Sequence, residues 1–256
     1  MEENQIVYNS QLAIKTYFQR TGLSPGEIFI LNYITGISKN IKMLDIGIGC
    51  GRTFEGFSKK VSEYTGIDYS DAMVKACKQK FENAKDSFSV SDARNLCQWA
   101  DGIFDFILFS FNGIDCVNQE GRIKVFNEIK RVGKNQSFFA FSSHNLYSIS
   151  KLFRFKIPKN PFNYLPEYKR YRFTIKSNQS LNTLFEKGIA EIKDGDINKE
   201  TSYCYVKPDF QINQLESLGF EMVGVYSDQK NMEYPMTTDW KSITEPWLYY
   251  LCQIIK

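Results

Sequence analysis

Three carboxylates, a run of alternating glycines and one histidine are the residues whose types and spacing could carry chemistry. Gly47, Gly49 and Gly51 form a G-x-G-x-G turn. Lacking a Cβ, such residues take positive φ angles and let the backbone reach contact distance with a ligand. A helical pattern opens just after them, and its first unpaired N–H groups face the same place. Asp45 stands two residues before the turn, Asp68 closes the next apolar stretch, and Asp92 follows a third. An acid at the end of the second strand is placed to accept hydrogen bonds from both hydroxyls of a ribose. Asp45 would repel a pyrophosphate but suits a ligand with cationic groups, and the third glycine falls one position early for a dinucleotide site. His144 is the chain's only histidine and follows the end of another apolar stretch. The ordinary histidine pKa of about 6.5 suits taking a proton from an attacking hydroxyl or ammonium group.

These groups need elements to position them. Short apolar runs over residues 41–46, 62–68, 87–90, 104–111 and 137–141 read as buried strands. Helical patterns alternate with them at 53–60, from Ser70 onward, and at 121–132, where Ile123, Phe126, Ile129 and Val132 are expected to face inward. Strands alternating with helices indicate a doubly wound α/β sheet whose site lies beyond the carboxyl ends of its strands. The turn after the fourth strand holds Asn112 and Asp115, where an acceptor would arrive. Residues 1–40 read as a helical cap, broken at Gly22–Gly26. Ser24, Pro25 and Glu27 form a helix-start signature, and Tyr8 and Tyr17 are placed to close over the glycine turn.

In these features the chain resembles the class I S-adenosylmethionine-dependent methyltransferases. Their first motif reads hydrophobic-acid-x-G-x-G-x-G. Residues 66–70 with Met73 look like the second motif, and residues 91–93 like the adenine-contacting turn. Residues 104–109 resemble the fourth strand and 131–143 the fifth. The resemblance implies S-adenosyl-L-methionine as cofactor, S-adenosyl-L-homocysteine as product and no metal. It also implies that Asp45 and the backbone of the three glycines hold the methionine part, that Asp68 holds the ribose, that Tyr69 and Met73 pack on adenine with Asp92 and Ala93 at its edge, and that Arg52 and Phe109 also contact the cofactor. His144 is then the expected base, and Tyr8, Tyr17, Asn112 and Asp115 the expected acceptor contacts.

The expected fold is therefore α/β, a Rossmann-like seven-stranded methyltransferase sheet with helices on both faces and a lid inserted after strand five. One domain spans 1–256: the cap, a cofactor-binding half at 41–145, the lid at 146–206, and a last helix with closing strands at 207–256. Residues 147–176 hold eight Lys and Arg against one Glu, interleaved with aromatics, and suit an anionic acceptor. Pro158, Pro161 and Pro166 argue against a long helix there, and residues 193–196 read as a hairpin turn. A net charge of +3 gives no push toward nucleic acid. No run approaches the ~18 apolar residues of a membrane span, and residues 1–5 hold no signal-like pattern. Scattered cysteines point to free thiols and a cytoplasmic setting. The favoured activity is methylation of an oxygen or nitrogen of a small molecule, such as a sugar or nucleotide-linked glycan, with no membrane partner. Methylation of RNA or protein, and cofactor binding without turnover, are the alternatives.

Overall fold

The computed structural model describes residues 6–195, 201–230 and 232–256. The reading of residues 1–5, and Asp196 of the expected hairpin turn, lie outside the described residues. Helix α1 (Gln11–Phe18) is capped by Ser10 and leads to α2 (Pro25–Ile37). The helix-start signature is realised as a capping box. Ser24 Oγ accepts from Glu27 N–H at 3.4 Å, and the Glu27 carboxylate accepts from Ser24 N–H at 2.7 Å.

Strand β1 (Lys42–Ile46) enters the glycine turn, and α3 (Phe54–Phe57) follows as a single turn rather than the longer helix expected. Gly56 lies inside it, weakens it and allows Leu23 to pack where a Cβ would stand. Next come β2 (Glu63–Asp68), α4 (Asp71–Lys80), β3 (Phe88–Val90), β4 (Phe104–Phe109) and α5 (Gln119–Val132). The inward face of α5 is rotated from expectation: Arg122 is buried beside Val125, Phe126 and Ile129, and Ile123 is only half-buried.

Strand β5 (Gly133–Asn145) is much longer than expected because it is paired along both edges. β4 runs parallel on one side, and β10 (Trp247–Ile254) runs antiparallel on the other from Trp247↔His144 to Gln253↔Phe138. Between β5 and β10 the chain forms α6 (Tyr164–Ser177), α7 (Leu181–Phe185), β6 (Ile189–Ile192), β7 (Tyr203–Val206), α8 (Pro208–Ser217), β8 (Phe220–Ser227) and β9 (Glu233–Tyr234). The prolines did not prevent α6. Pro158 and Pro161 precede it, and Pro166 lies in its first turn, where a missing N–H costs nothing.

The sheet order is β3-β2-β1-β4-β5-β10-β8-β9. The expected seven strands are its centre, and β6, β7 and β9 raise the total among the described residues to ten. β7 pairs parallel with the very end of β5, at His144↔Tyr205 and Asn145↔Val206, so the insertion extends the sheet where the histidine stands. One face is filled by Phe126, Phe139, Phe141, Phe220 and Tyr250. The other is filled by Ile30, Ile34, Met43, Phe106 and Tyr249, and the insertion has its own small core around Leu146, Leu184 and Ile192. Among the described residues no helix is long and apolar enough to cross a membrane.

Gly26 joins α2 to β10: a Cβ there would overlap the Tyr249 ring. Gly26→Ala should cost about 1–3 kcal/mol through overpacking, read as a lowered midpoint of thermal unfolding. An unchanged midpoint would mean that the ring yields freely.

Candidate active site

The turn after β1 opens a cleft of about 1030 Å³, mouth included. Gly47 and Gly49 take φ of +70° and +54°, the left-handed region that side-chain-bearing residues avoid. A Cβ on Gly47 would stand 2.9 Å from the Phe109 ring, so the glycine keeps that wall of the cleft thin. The N–H groups of Gly47 and Ile48 donate to Ile67 O, at 2.7 and 3.1 Å, which fastens the turn to β2. Asp68 accepts from Gly49 N–H at 2.8 Å and Ser70 N–H at 2.9 Å. Burial nevertheless pushes its carboxyl up to about 6. Asp45 accepts from Thr53 Oγ1 and Tyr64 OH, each at 2.5 Å. Burial outweighs those bonds and pushes it up to about 7.

A buried ion pair braces the cleft from outside. The Arg52 guanidinium meets Glu27 with both terminal nitrogens, reaches Gly22 O at 2.9 Å, and lies over the Phe111 ring. Glu27 also accepts from Ser110 Oγ, which lies 2.9 Å from Tyr249 OH. One carboxylate thus ties α2, the glycine turn, the end of β4 and β10 together.

A second buried carboxylate organises the histidine. Asp115 accepts from Arg122 Nη1 at 2.5 Å, Ser143 Oγ at 2.7 Å and His144 N–H at 2.7 Å. His144 Nδ1 lies 2.8 Å from Asp115 Oδ2, and Nε2 lies 3.2 Å from Asn112 Nδ2. A carboxylate facing Nδ1 and an amide N–H facing Nε2 assign the proton to Nδ1 and the lone pair to Nε2. Arg122 Nη2 donates to Gln211 Oε1 at 2.6 Å, and Tyr205 stacks on the imidazole with centroids 4.6 Å apart.

Ten of the eleven expected cofactor residues line the cleft, as do Tyr8 and Tyr17; Gly51 does not, and the position of its missing Cβ faces Phe81 and Cys77 instead. Arg52 lines it with its guanidinium already engaged by Glu27, and Asp92 with its carboxylate paired to Arg94. Burial would push Asp92 up, but the Arg94 hydrogen bonds prevail and hold it low. Asn112, Asp115 and His144 are not lining residues. Asn112 lies between Phe111 and Gly113, which are, and Tyr203 packs 5.9 Å from the imidazole. Asp115 corrects the sequence reading most sharply: its side chain is fully buried, so it holds His144 and does not meet an acceptor. No residue of the insertion lines the cleft, so the basic segment does not shape it.

Glu27, Arg122, Tyr203 and Tyr205 were missed. Glu27 and Arg122 each share a helical face with buried apolar residues, three positions before Ile30 and Val125. A charge on a core-facing stripe was the available signal. Nothing marked the two tyrosines before β7 was known to pair with β5.

The glycine turn, the acid ending β2 and this strand order define the class: the fold is that of the class I S-adenosylmethionine-dependent methyltransferases. Residues 43–136 match the family model described as a methyltransferase domain. The chain is 26% identical over 114 residues to the putative methyltransferase YqeM of Bacillus subtilis. That match takes in 44% of this chain and 46% of the relative, so the two are alike over about half the relative's length. An S-adenosylmethionine-dependent methyltransferase from Clostridium acetobutylicum superimposes with a TM-score of 0.63 at 16% identity, covering 91% of this chain and 92% of its own. One from Mesorhizobium loti gives 0.60 at 15% identity, covering 89% and 97%. S-Adenosyl-L-methionine is the cofactor of this domain type, and the cleft fits it: a thin glycine wall, a buried acid beside the turn, and a second acid at the ribose position.

Asp45 and Asp68 hold their protons to a higher pH than they would in the unfolded chain. The stability they contribute is therefore present in acid and lost as pH rises from roughly 4 toward 7. Hydroxyl donors and a cationic ligand favour the ionised forms, so binding should release protons. S-Adenosyl-L-homocysteine affinity should rise about tenfold between roughly pH 5.5 and 7.5, measured by calorimetry in buffers of different ionisation enthalpy. A flat profile would contradict ligand contact with either acid.

Proposed function

We propose that the chain transfers the methyl group of S-adenosyl-L-methionine to an oxygen or nitrogen of a small molecule, with His144 as the base. The supporting observation is the Asp115–His144 pair at the carboxyl end of β5, next to the glycine-turn cleft. The cofactor supplies, when bound, a methyl group on a sulfonium that already carries a good leaving group. The protein then has to align the acceptor, exclude water and receive one proton.

Each task has candidates. Asp115 fixes the imidazole with Nδ1–H toward itself, leaving Nε2 as the proton acceptor. The Asn112 amide holds Nε2 at 3.2 Å, and its buried oxygen has no hydrogen-bond partner among the described residues. Tyr8, Tyr17 and Phe111 offer aromatic faces over the cleft, which suit the C–H faces of a sugar ring. A sugar or a nucleotide-linked glycan is therefore the acceptor class to test first. None of the six cysteines is in a disulfide, which fits a reducing, cytoplasmic setting.

Methyl transfer to a panel of free, phosphorylated and nucleotide-linked sugars tests the reading. His144→Gln should lower turnover by about 10²–10⁴-fold and leave S-adenosyl-L-homocysteine affinity unchanged. Asp68→Ala should weaken that affinity by at least about tenfold, since hydrogen bonds to a charged group are lost. Full turnover by His144→Gln would remove the histidine from the role of base.

A further inference from the structure

The cationic segment that leaves the cleft unlined is a built unit with an unpartnered outer face. Glu167 accepts from Lys156 N–H at 2.7 Å and from Arg170 Nε at 2.8 Å. Arg170 also donates to Leu152 O and Arg154 O, at 2.8 and 2.7 Å. These bonds clamp the loop before α6 onto the helix, and Phe155 packs on Tyr164 and Tyr171. The inner face of α6 is thereby set: Thr174 is buried, and Glu167, Arg170 and Tyr171 are half-buried. Leu165 falls on the opposite face, Tyr168 and Ile175 on the flank of the helix, and all three are exposed. The preceding loop adds Phe162 at 89% and Ile157 at 79% exposure, with Leu165 at 60%. Around them stand Arg154, Lys156, Lys159, Lys169 and Lys176, none paired with a carboxylate side chain among the described residues.

We propose that this face docks on an anionic lipid bilayer, lying in its interface. Large aliphatic and aromatic side chains that water exposes at a cost would enter the headgroup boundary, and the lysines around them would meet lipid phosphates. The charge distribution favours this occupant: the segment holds eight cations and one anion in a chain of net charge +3, so the rest of the chain is net acidic. A second copy presenting the same face would bring like charge against like charge. Single-stranded RNA would use the cations and aromatics, but it offers nothing for Ile157, Leu165 and Ile175 to bury against. The absence of a spanning run does not bear on the matter, because an interfacial segment needs none. The inference is independent of the methyl-transfer reading.

Flotation of the full chain with phosphatidylglycerol–phosphatidylcholine vesicles, and with phosphatidylcholine alone, tests it. The protein should float with the anionic vesicles and bind neutral ones at least about tenfold more weakly. Phe162→Ser with Leu165→Ser, and separately Lys156→Glu with Lys159→Glu and Lys169→Glu, should each lower binding to anionic vesicles by roughly tenfold or more. Both variants should keep the wild-type unfolding midpoint and S-adenosyl-L-homocysteine affinity. Equal binding to both vesicle types, or undiminished binding by the apolar variant, would overturn the proposal. Binding of poly(U) in place of vesicles, lost only in the charge variant, would transfer the face to RNA.

Discussion

A carboxylate with no solvent exposure has to be surrounded by donors, and Asp115 is where the second half of the chain meets that demand. An unpaired buried charge costs several kcal/mol, so each donor is drawn from an element that packs anyway. α5 brings Arg122, β5 brings Ser143 and both N–H groups of His144, and α8 steadies Arg122 through Gln211. The imidazole is a consequence of this arrangement. Its Nδ1 completes the donor set, which leaves Nε2 the only ring nitrogen able to accept a proton.

The Glu27 carboxylate plays the matching part for the first half. Its capping-box bond starts α2, its pair with Arg52 holds the strand-to-helix turn, and Ser110 and Tyr249 carry the tie across β4 to β10. A buried pair of this kind is weak support for net stability, because desolvation offsets the Coulomb gain. It does specify one geometry strongly, since breaking it leaves a charge stranded. The cleft between the two carboxylates is thus bounded by groups that cannot drift without exposing an unpaired ion.

Much of this was legible in the sequence for local reasons. The glycine turn, Asp68 and the Ser24–Pro25–Glu27 start signal are contiguous patterns whose physics is short-range, and Gly47, Gly49 and Asp68 reach the cleft while Gly51 packs behind it. The parts that were not legible depend on partners far along the chain. β5 extends to Asn145 because β10 and β7 cover its far end, which an apolar count over 137–141 does not register. Asp115 reads as a turn residue until Arg122 is rotated into the core seven residues later. Prolines at 158, 161 and 166 read as breakers, yet the last of them falls in the first turn of α6, where it is harmless.

The two halves meet at a strained turn. Phe111 and Asn112 take φ of 55° and 58° in succession, a conformation that non-glycine residues reach at a cost of about 1–3 kcal/mol each. Ser142 Oγ accepts from Asn112 N–H at 2.7 Å and fixes the turn against β5. The left-handed pair sends neighbouring side chains to different centres. Phe111 lies against Tyr17, Arg20, Arg52 and Trp247 above the cofactor cleft, while the Asn112 amide reaches the imidazole. A relaxed extended strand would place successive side chains on opposite faces of the sheet and could not bring both to its carboxyl edge. The strain is therefore what connects the glycine-turn cleft to the Asp115–His144 pair, and it is held by contacts from both halves.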